Sequence, residues 1–409
     1  MADLTQAMLK ELQSMIKVNN EEGEESRFIE TGNIGFDMAI SNGKGIPLGC
    51  SILFWGSQGC GKTTLFADVA RRLIEKGKKN NEPFKVLYID VEGSEFLTLD
   101  SRLGLKKYYH SCDFLRTDGK DHETGEIHPI TWSLIESMYD AILAEKPGFK
   151  DIKLVIIDSI NNVLSAQQEK NSITSGDFGT RAKERSNFWA KYLPQCKQKK
   201  VSTFMISQAR TKQDAVLSPY VSKEKPAGSF ADFHNADVIL KCIKASASSH
   251  DDSAKKVTLT AYNETKDQDR FILVLDPTAE GSKNRIARTY KCEVLIEKGF
   301  GAHNFYSLRK ILEFHGFLKK NGAWYQFAKE LIKGFNLPDK KMNREEVNKI
   351  LRQNEELFVK FLKETDCYSI VSKTEDIAES DIDMTEDIDT LNTVDNDMCN
   401  DDNDEDDEE

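Results

Sequence analysis

A doubly wound α/β core built on a mostly parallel sheet is the fold this sequence predicts, and three observations predict it. Short runs that are apolar at nearly every position recur between residues 28 and 297, as strands buried on both faces require. The stretches between them are long enough for crossover helices. A glycine-rich loop ends the first strong apolar run just where a helical segment opens.

Taken in order, residues 3–17 place Leu4, Met8, Leu12 and Ile16 at helical spacing and predict a short amphipathic helix. NNEEGEE at 19–25 reads as a polar linker. The predicted strands are SILFWG (51–56), KVLYID (85–90), KLVIID (153–158), STFMIS (202–207), DVILKCI (237–243) and KVTLTAY (256–262). Segments 62–76, 131–145 and 180–199 supply the crossover helices. Residues 300–373 form a smaller, basic and mostly helical lobe, and from 374 the composition is that of a disordered acidic tail. The expected division is therefore 1–27, 28–299, 300–373 and 374–409.

Bulk composition narrows the function classes. Hydrophobic content of 39% and charged content of 30% in 409 residues are ordinary for a globular protein with a sizeable core. No run approaches the roughly 18 to 20 apolar residues of a membrane span, and the charged N-terminus lacks a signal-peptide core. The eight cysteines contain no Cys-x-x-Cys, so neither a zinc site nor a disulfide framework is indicated and a cytoplasmic location is expected. Charge is unevenly spread. All 56 Lys and Arg precede residue 374, while 18 of the 68 Asp and Glu follow Lys373, so the net −12 divides into about +6 for residues 1–373 and −18 for the tail. A mildly basic body suits a polyanionic partner.

The most specific motif is GSQGCGKTT at 56–64, which meets G-x-x-x-x-G-K-[ST] in the strand-to-helix setting that the motif needs. Gly56, Gly59 and Gly61 let the backbone wrap close to phosphates, and Ser57, Gln58 and Cys60 complete the cradle. Helix-opening N–H groups add positive potential. Lys62 is expected on the β- and γ-phosphates, Thr63 on Mg²⁺ and Thr64 on the α-phosphate. ATP and Mg²⁺ are the cofactors this predicts.

Carboxylates at strand ends would complete the site. Asp158 ends KLVIID, at the sheet edge where doubly wound folds place ligands, and is expected in the Mg²⁺ shell. Glu92 follows KVLYID and is a candidate to activate water, with Asp90 and Glu95 as rivals. Gln208 directly follows STFMIS, where an amide could sense the γ-phosphate or stand as a plain loop residue.

In their order these motifs resemble the RecA family of recombinases. IETGNIGFDMAISNGKGIPLG (29–49) is similar to the segment entering that family's first core strand, YIDVEGSEF (88–96) to its catalytic-glutamate strand, and IIDS (156–159) to its Mg²⁺ strand. FMISQAR (204–210) resembles the strand ending in its ATP-sensing glutamine, and residues 296–327, with NFY at 304–306 and GAWY at 322–325, resemble the entry to its C-terminal domain. The likeness spans roughly 29–330. Overall length, NAD at 235–237 and the acidic tail look nearest to the UvsX-like recombinases of large bacteriophages.

The resemblance implies a DNA-dependent ATPase with a RecA-type core, in which Glu92 is the catalytic carboxylate. It implies filaments on single-stranded DNA, pairing with homologous duplex DNA, and possible single-strand-binding and mediator partners, in the nucleoid or, if phage-encoded, the host cytoplasm. Two DNA-facing loops carry over by position, about 164–181 and about 209–229, the second bearing Arg210, Lys212, Lys223 and Lys225. The chain also departs from the family. Leu99 stands where an aromatic residue usually stacks on adenine, Phe233-His234 where a Lys–aromatic pair is common, and YNETKDQDR (262–270) where a KNK-like segment reaches ATP across the subunit interface, leaving Lys266 as the trans contact. A ring-forming helicase on the same core is the alternative, but it gives no reason for GAWY or for Glu92 directly after the second strand.

Overall fold

The computed structural model describes residues 27–93, 103–120, 124–165, 178–211, 224–228, 230–245, 270–297 and 300–365. Two short strands, β1 (Phe28–Ile29) and β2 (Ile46–Pro47), flank α1 (Ile34–Ser41), whose first turn is capped by the Asn33 side chain accepting from Phe36 N–H. There follow β3 (Ser51–Gly56), α2 (Lys62–Asn80), β4 (Lys85–Asp90), α3 (Lys106–His110), β5 (Phe114–Thr117), α4 (Trp132–Leu143), β6 (Ile152–Asp158), α5 (Phe178–Lys199) and β7 (Ser202–Thr211). Next come β8 (Glu224–Pro226), α6 (Phe230–Asn235), β9 (Val238–Lys244), β10 (Arg270–Asp276), β11 (Lys283–Asn284), β12 (Cys292–Glu297) and β13 (Gly301–His303). The last elements are α7 (Asn304–Phe314), β14 (Leu318–Asn321), β15 (Trp324–Phe327), α8 (Lys329–Phe335), α9 (Arg344–Gln353) and α10 (Glu355–Glu364).

The main sheet runs β13-β12-β10-β9-β3-β7-β6-β4-β5. From β9 to β5 every pairing is parallel, and β10, β12 and β13 extend the β9 side antiparallel. Alternation along the strands feeds two cores. Ile52, Phe54, Val86, Tyr88, Leu154, Ile156, Phe204 and Ile206 face α1 and α2, while Leu53, Trp55, Leu87, Ile89, Val155, Ile157 and Met205 face α4 and α5. Burial on both faces is why these segments read as unbroken apolar runs.

Strands β3 and β4 lie at the predicted bounds, β6, β7 and β9 are shifted or lengthened by one to four residues at an end, and KVTLTAY lies outside the described residues. The antiparallel strands β10 and β12 were not among those predicted. Their alternate residues serve different layers: Leu273, Leu275, Val294 and Ile296 join the α1–α2 core, whereas Ile272, Val274 and Leu295 face Leu308, Leu312 and Phe358 of the C-terminal helices. Described residues from 304 onward thus share a core with the sheet. They also include the antiparallel β14–β15 hairpin, into which GAWY is folded, beside four helices. No described helix is long and apolar enough to cross a membrane.

Where α1 meets the sheet, the Asp37 carboxylate accepts from Thr31 N–H at 3.1 and 3.2 Å and from Thr31 Oγ1 at 2.7 Å. Burial pushes its carboxyl up from 3.8 to about 7, against the lowering effect of the Thr31 bonds. A folded value above the unfolded one means that the stability tied to this proton is complete below about pH 4, and is lost as pH rises through about 7. Asp37→Asn should remove that dependence. Compared with the variant, the parent should lose a few kcal/mol between pH 4 and 8 in urea unfolding; a parent–variant difference that stays constant over this range would contradict the assignment.

Candidate nucleotide site

Sheet register builds the site. Gly56 pairs with Gln208, Asp90 with Asp158, and Asp158 with Ile206, so β3, β4 and β6 end within two residues of one another along β7, which runs on to Thr211. Between them opens a cleft of about 240 Å³ whose lining includes Gly59, Lys62, Thr63, Glu92, Asp158 and Gln208. This is the edge at which open α/β sheets bind ligands.

The loop from Gly56 to Gly61 has the geometry a phosphate cradle needs. Gly61 adopts φ +98° and an added Cβ would stand 2.5 Å from the Phe271 ring, while a Cβ on Gly56 would meet Cys242 O at 2.1 Å. Gly59, at φ +73°, faces open space. α2 begins at Lys62 with no side-chain cap and no acidic residue in its first turn, leaving its N-terminal donors and dipole for an anion. Lys62 Nζ donates to Gly56 O and Ser57 O, both at 2.9 Å. Cys60 is buried in the core, so it contributes main chain to the cradle. Gln58 and Thr64 line the cleft, whereas the Ser57 hydroxyl donates outward to Glu224 at 3.1 Å.

The carboxylates separate by environment. Asp158 Oδ2 accepts from Thr63 Oγ1 at 2.8 Å and from Tyr88 Oη at 2.6 Å. Desolvation raises the Asp158 pKa, the two hydroxyls oppose that rise, and Glu92 and Asp90 add to it. Asp90 is fully buried and paired with Arg116 at 2.7 Å. Glu92 instead lines the cleft, its Oε1 accepting from Gln208 Nε2 at 2.8 Å and from Asn162 Nδ2 at 3.4 Å. Hydrogen bonds from Val91 and Glu92 N–H to Asp158 O fasten this chain exit to β6. Glu95 and Leu99 lie outside the described residues.

Beyond Gln208, β7 leaves the sheet and pairs antiparallel with β8, setting Arg210 opposite Lys225, both exposed. Like charges facing each other across a ribbon repel. Lys212, Lys223 and Lys266 lie outside the described residues, as do 3–17 and 374–409.

Four contributors were not anticipated. Tyr88 carried a readable signal, since it lies two residues before Asp90 on the same strand face. Arg116, which neutralises Asp90 behind the cleft, and Phe271 come from elements distant in sequence, whereas Asn162 lies four residues beyond Asp158 in the turn that leaves β6.

The family described as AAA domain matches residues 41–187, from before the phosphate loop into α5. Protein RecA of Ureaplasma parvum serovar 3 is 24% identical over 343 residues, 82% of this chain and 85% of that one. Protein RecA of Colwellia psychrerythraea is 24% identical over 320 residues, 78% of this chain and 79% of that one. The parallel sheet with the phosphate loop at its edge fits a P-loop NTPase core, and the chain is similar in sequence to RecA proteins over most of its length.

Proposed function

We propose that this protein is an ATP-dependent recombinase of the RecA type, nearest to the UvsX-like recombinases, which assembles as filaments on single-stranded DNA and pairs it with homologous duplex DNA. The observation that carries the reading is a single strand. On β7, Gln208 touches Glu92 in the cleft, and two residues further on Arg210 stands opposite Lys225 across the β7–β8 ribbon. A polyanion on that ribbon would relieve the repulsion between the two cations.

In this reading Lys62 neutralises the terminal phosphates of ATP, and the first turn of α2 donates to their oxygens. The hard oxygen pair Thr63–Asp158, 2.8 Å apart, suits Mg²⁺, which would offset charge between the β- and γ-phosphates when bound. Glu92 accepts a proton from the attacking water. Gln208 holds Glu92 and passes the state of the γ-phosphate to the ribbon. Lys266 supplies a contact to the ATP of the neighbouring protomer, and residues 3–17 dock on that neighbour. A joint-molecule assay tests the reading: single strands should pair with homologous duplex only when ATP and Mg²⁺ are present. Duplex unwinding without pairing would favour the ring helicase.

Lys212 and Lys223, with Arg210 and Lys225, give this surface its salt dependence. The tail competes for it. Deleting 374–409 removes 18 negative charges and no positive ones. The truncated protein should bind duplex DNA more tightly, with a gain that shrinks as salt rises and the screening length falls to about 8 Å at physiological strength. Equal affinities at low salt would leave the tail without this role.

A further inference from the structure

One buried ion pair is used by neither the cleft nor the ribbon. Arg185 on α5 is 4% exposed and Asp232 on α6 is 0% exposed. Arg185 Nη1 donates to Asp232 Oδ2 at 2.8 Å, Arg185 Nη2 donates to Ile160 O at 2.7 Å, and Trp189 Nε1 donates to Asp232 Oδ1 at 3.0 Å. The guanidinium also lies 5.5 Å from the centre of the Trp132 ring, at the start of α4.

The elements joined in this way share a placement. Ile160 follows the cleft residue Asp158 by two positions. α5 begins within the segment 164–181 and α6 directly follows the segment 209–229, the two segments expected to face DNA. Asp232 also reaches back along the chain, since a Cβ on Gly228 would stand 3.3 Å from its Oδ2. From there Ala227 N–H bonds Gln208 O at 2.8 Å. A guanidinium fork is suited to fixing several elements at once, because its donors are planar and pre-organised. Stability alone is a weak reason for such a pair, since apolar replacements of a buried ion pair are often neutral or stabilising.

We infer that Arg185 and Asp232 form a positioning pair, which ties the flanks of both DNA-facing segments to the turn leaving Asp158 so that DNA and nucleotide act on one linked body. The inference rests on the function proposed above. Removing one partner strands the other charge and risks unfolding. The informative variant is therefore the neutral double substitution Arg185→Met with Asp232→Asn, in which the amide oxygen still accepts from Trp189.

The test uses the full chain, a labelled oligothymidylate and a nonhydrolysable ATP analogue. Oligonucleotide affinity is measured with and without the analogue, and the ratio of the two affinities reports the coupling. In the double variant, analogue affinity and analogue-free oligonucleotide affinity should stay within about twofold of the parent, while the ratio falls about fivefold or more. A merely structural role would lower the unfolding temperature and leave that ratio alone. A folded double variant with the parental ratio overturns the inference, as does loss of analogue binding, which would place the pair in the nucleotide site. A parent whose oligonucleotide affinity ignores the analogue would overturn the proposed function, and the inference with it.

Discussion

Glu92→Gln is expected to leave nucleotide and DNA binding in place while ATP hydrolysis falls about a hundredfold or more, the usual cost of losing a general base. The geometry makes the choice of carboxylate specific. Asp158 is engaged by Thr63 and Tyr88, and Asp90 is closed off by Arg116, whereas Glu92 lines the cleft. Asp90→Asn should accordingly cost folding stability, because it replaces the closer of two carboxylates beside Arg116, Asp90 at 2.7 Å and Asp118 at 3.6 Å, with a neutral amide. Steady-state hydrolysis with nucleotide binding measured in parallel checks this. Turnover that survives Glu92→Gln but disappears in a folded Asp90→Asn or Glu95→Gln protein would move the base to that carboxylate.

Lys62→Ala should reduce nucleotide affinity about ten- to a hundredfold, from the loss of charge-assisted hydrogen bonds to phosphate. Nucleotide-dependent DNA binding should disappear with it. The ammonium also bonds Gly56 O and Ser57 O, so part of the loss could come from a slackened loop. Unfolding measured without nucleotide separates the two effects: a variant as stable as the parent has lost a phosphate contact. Unchanged affinity and turnover would remove Lys62 from the site.

How much of this was legible in the sequence depended on whether the signal was local. SILFWG and KVLYID define β3 and β4 residue for residue, because strands buried on both faces are apolar throughout. The phosphate loop was equally plain, since its glycines, lysine and threonine are contiguous. RFILVLD and CEVLIE are almost as apolar as the parallel strands, but apolarity does not say which strands belong to the sheet or in which direction they run. The β14–β15 hairpin is weak by pattern, since Lys319, Lys320 and Trp324 are exposed, yet Asn321-Gly322 is a turn signal that would have located it.

Within the site, Glu92 was favoured by resemblance, and the contact that separates it from Asp90 was invisible. Arg116 lies 26 residues from Asp90, and only the parallel pairing of β4 with β5 brings them together. The Arg185–Asp232 pair, 47 residues apart, is hidden for the same reason. Sequence exposes chemistry carried by neighbours along the chain, while charge neutralisation between elements waits on the fold.

The proposed recombinase requires that this nucleotide site serve a polymer on single-stranded DNA. Electron microscopy of the full-length protein with single-stranded DNA, Mg²⁺ and a nonhydrolysable ATP analogue tests it most directly. Continuous helical filaments that require both the DNA and the analogue are expected. Closed rings threaded on the strand, or isolated protomers under the same conditions, would contradict it.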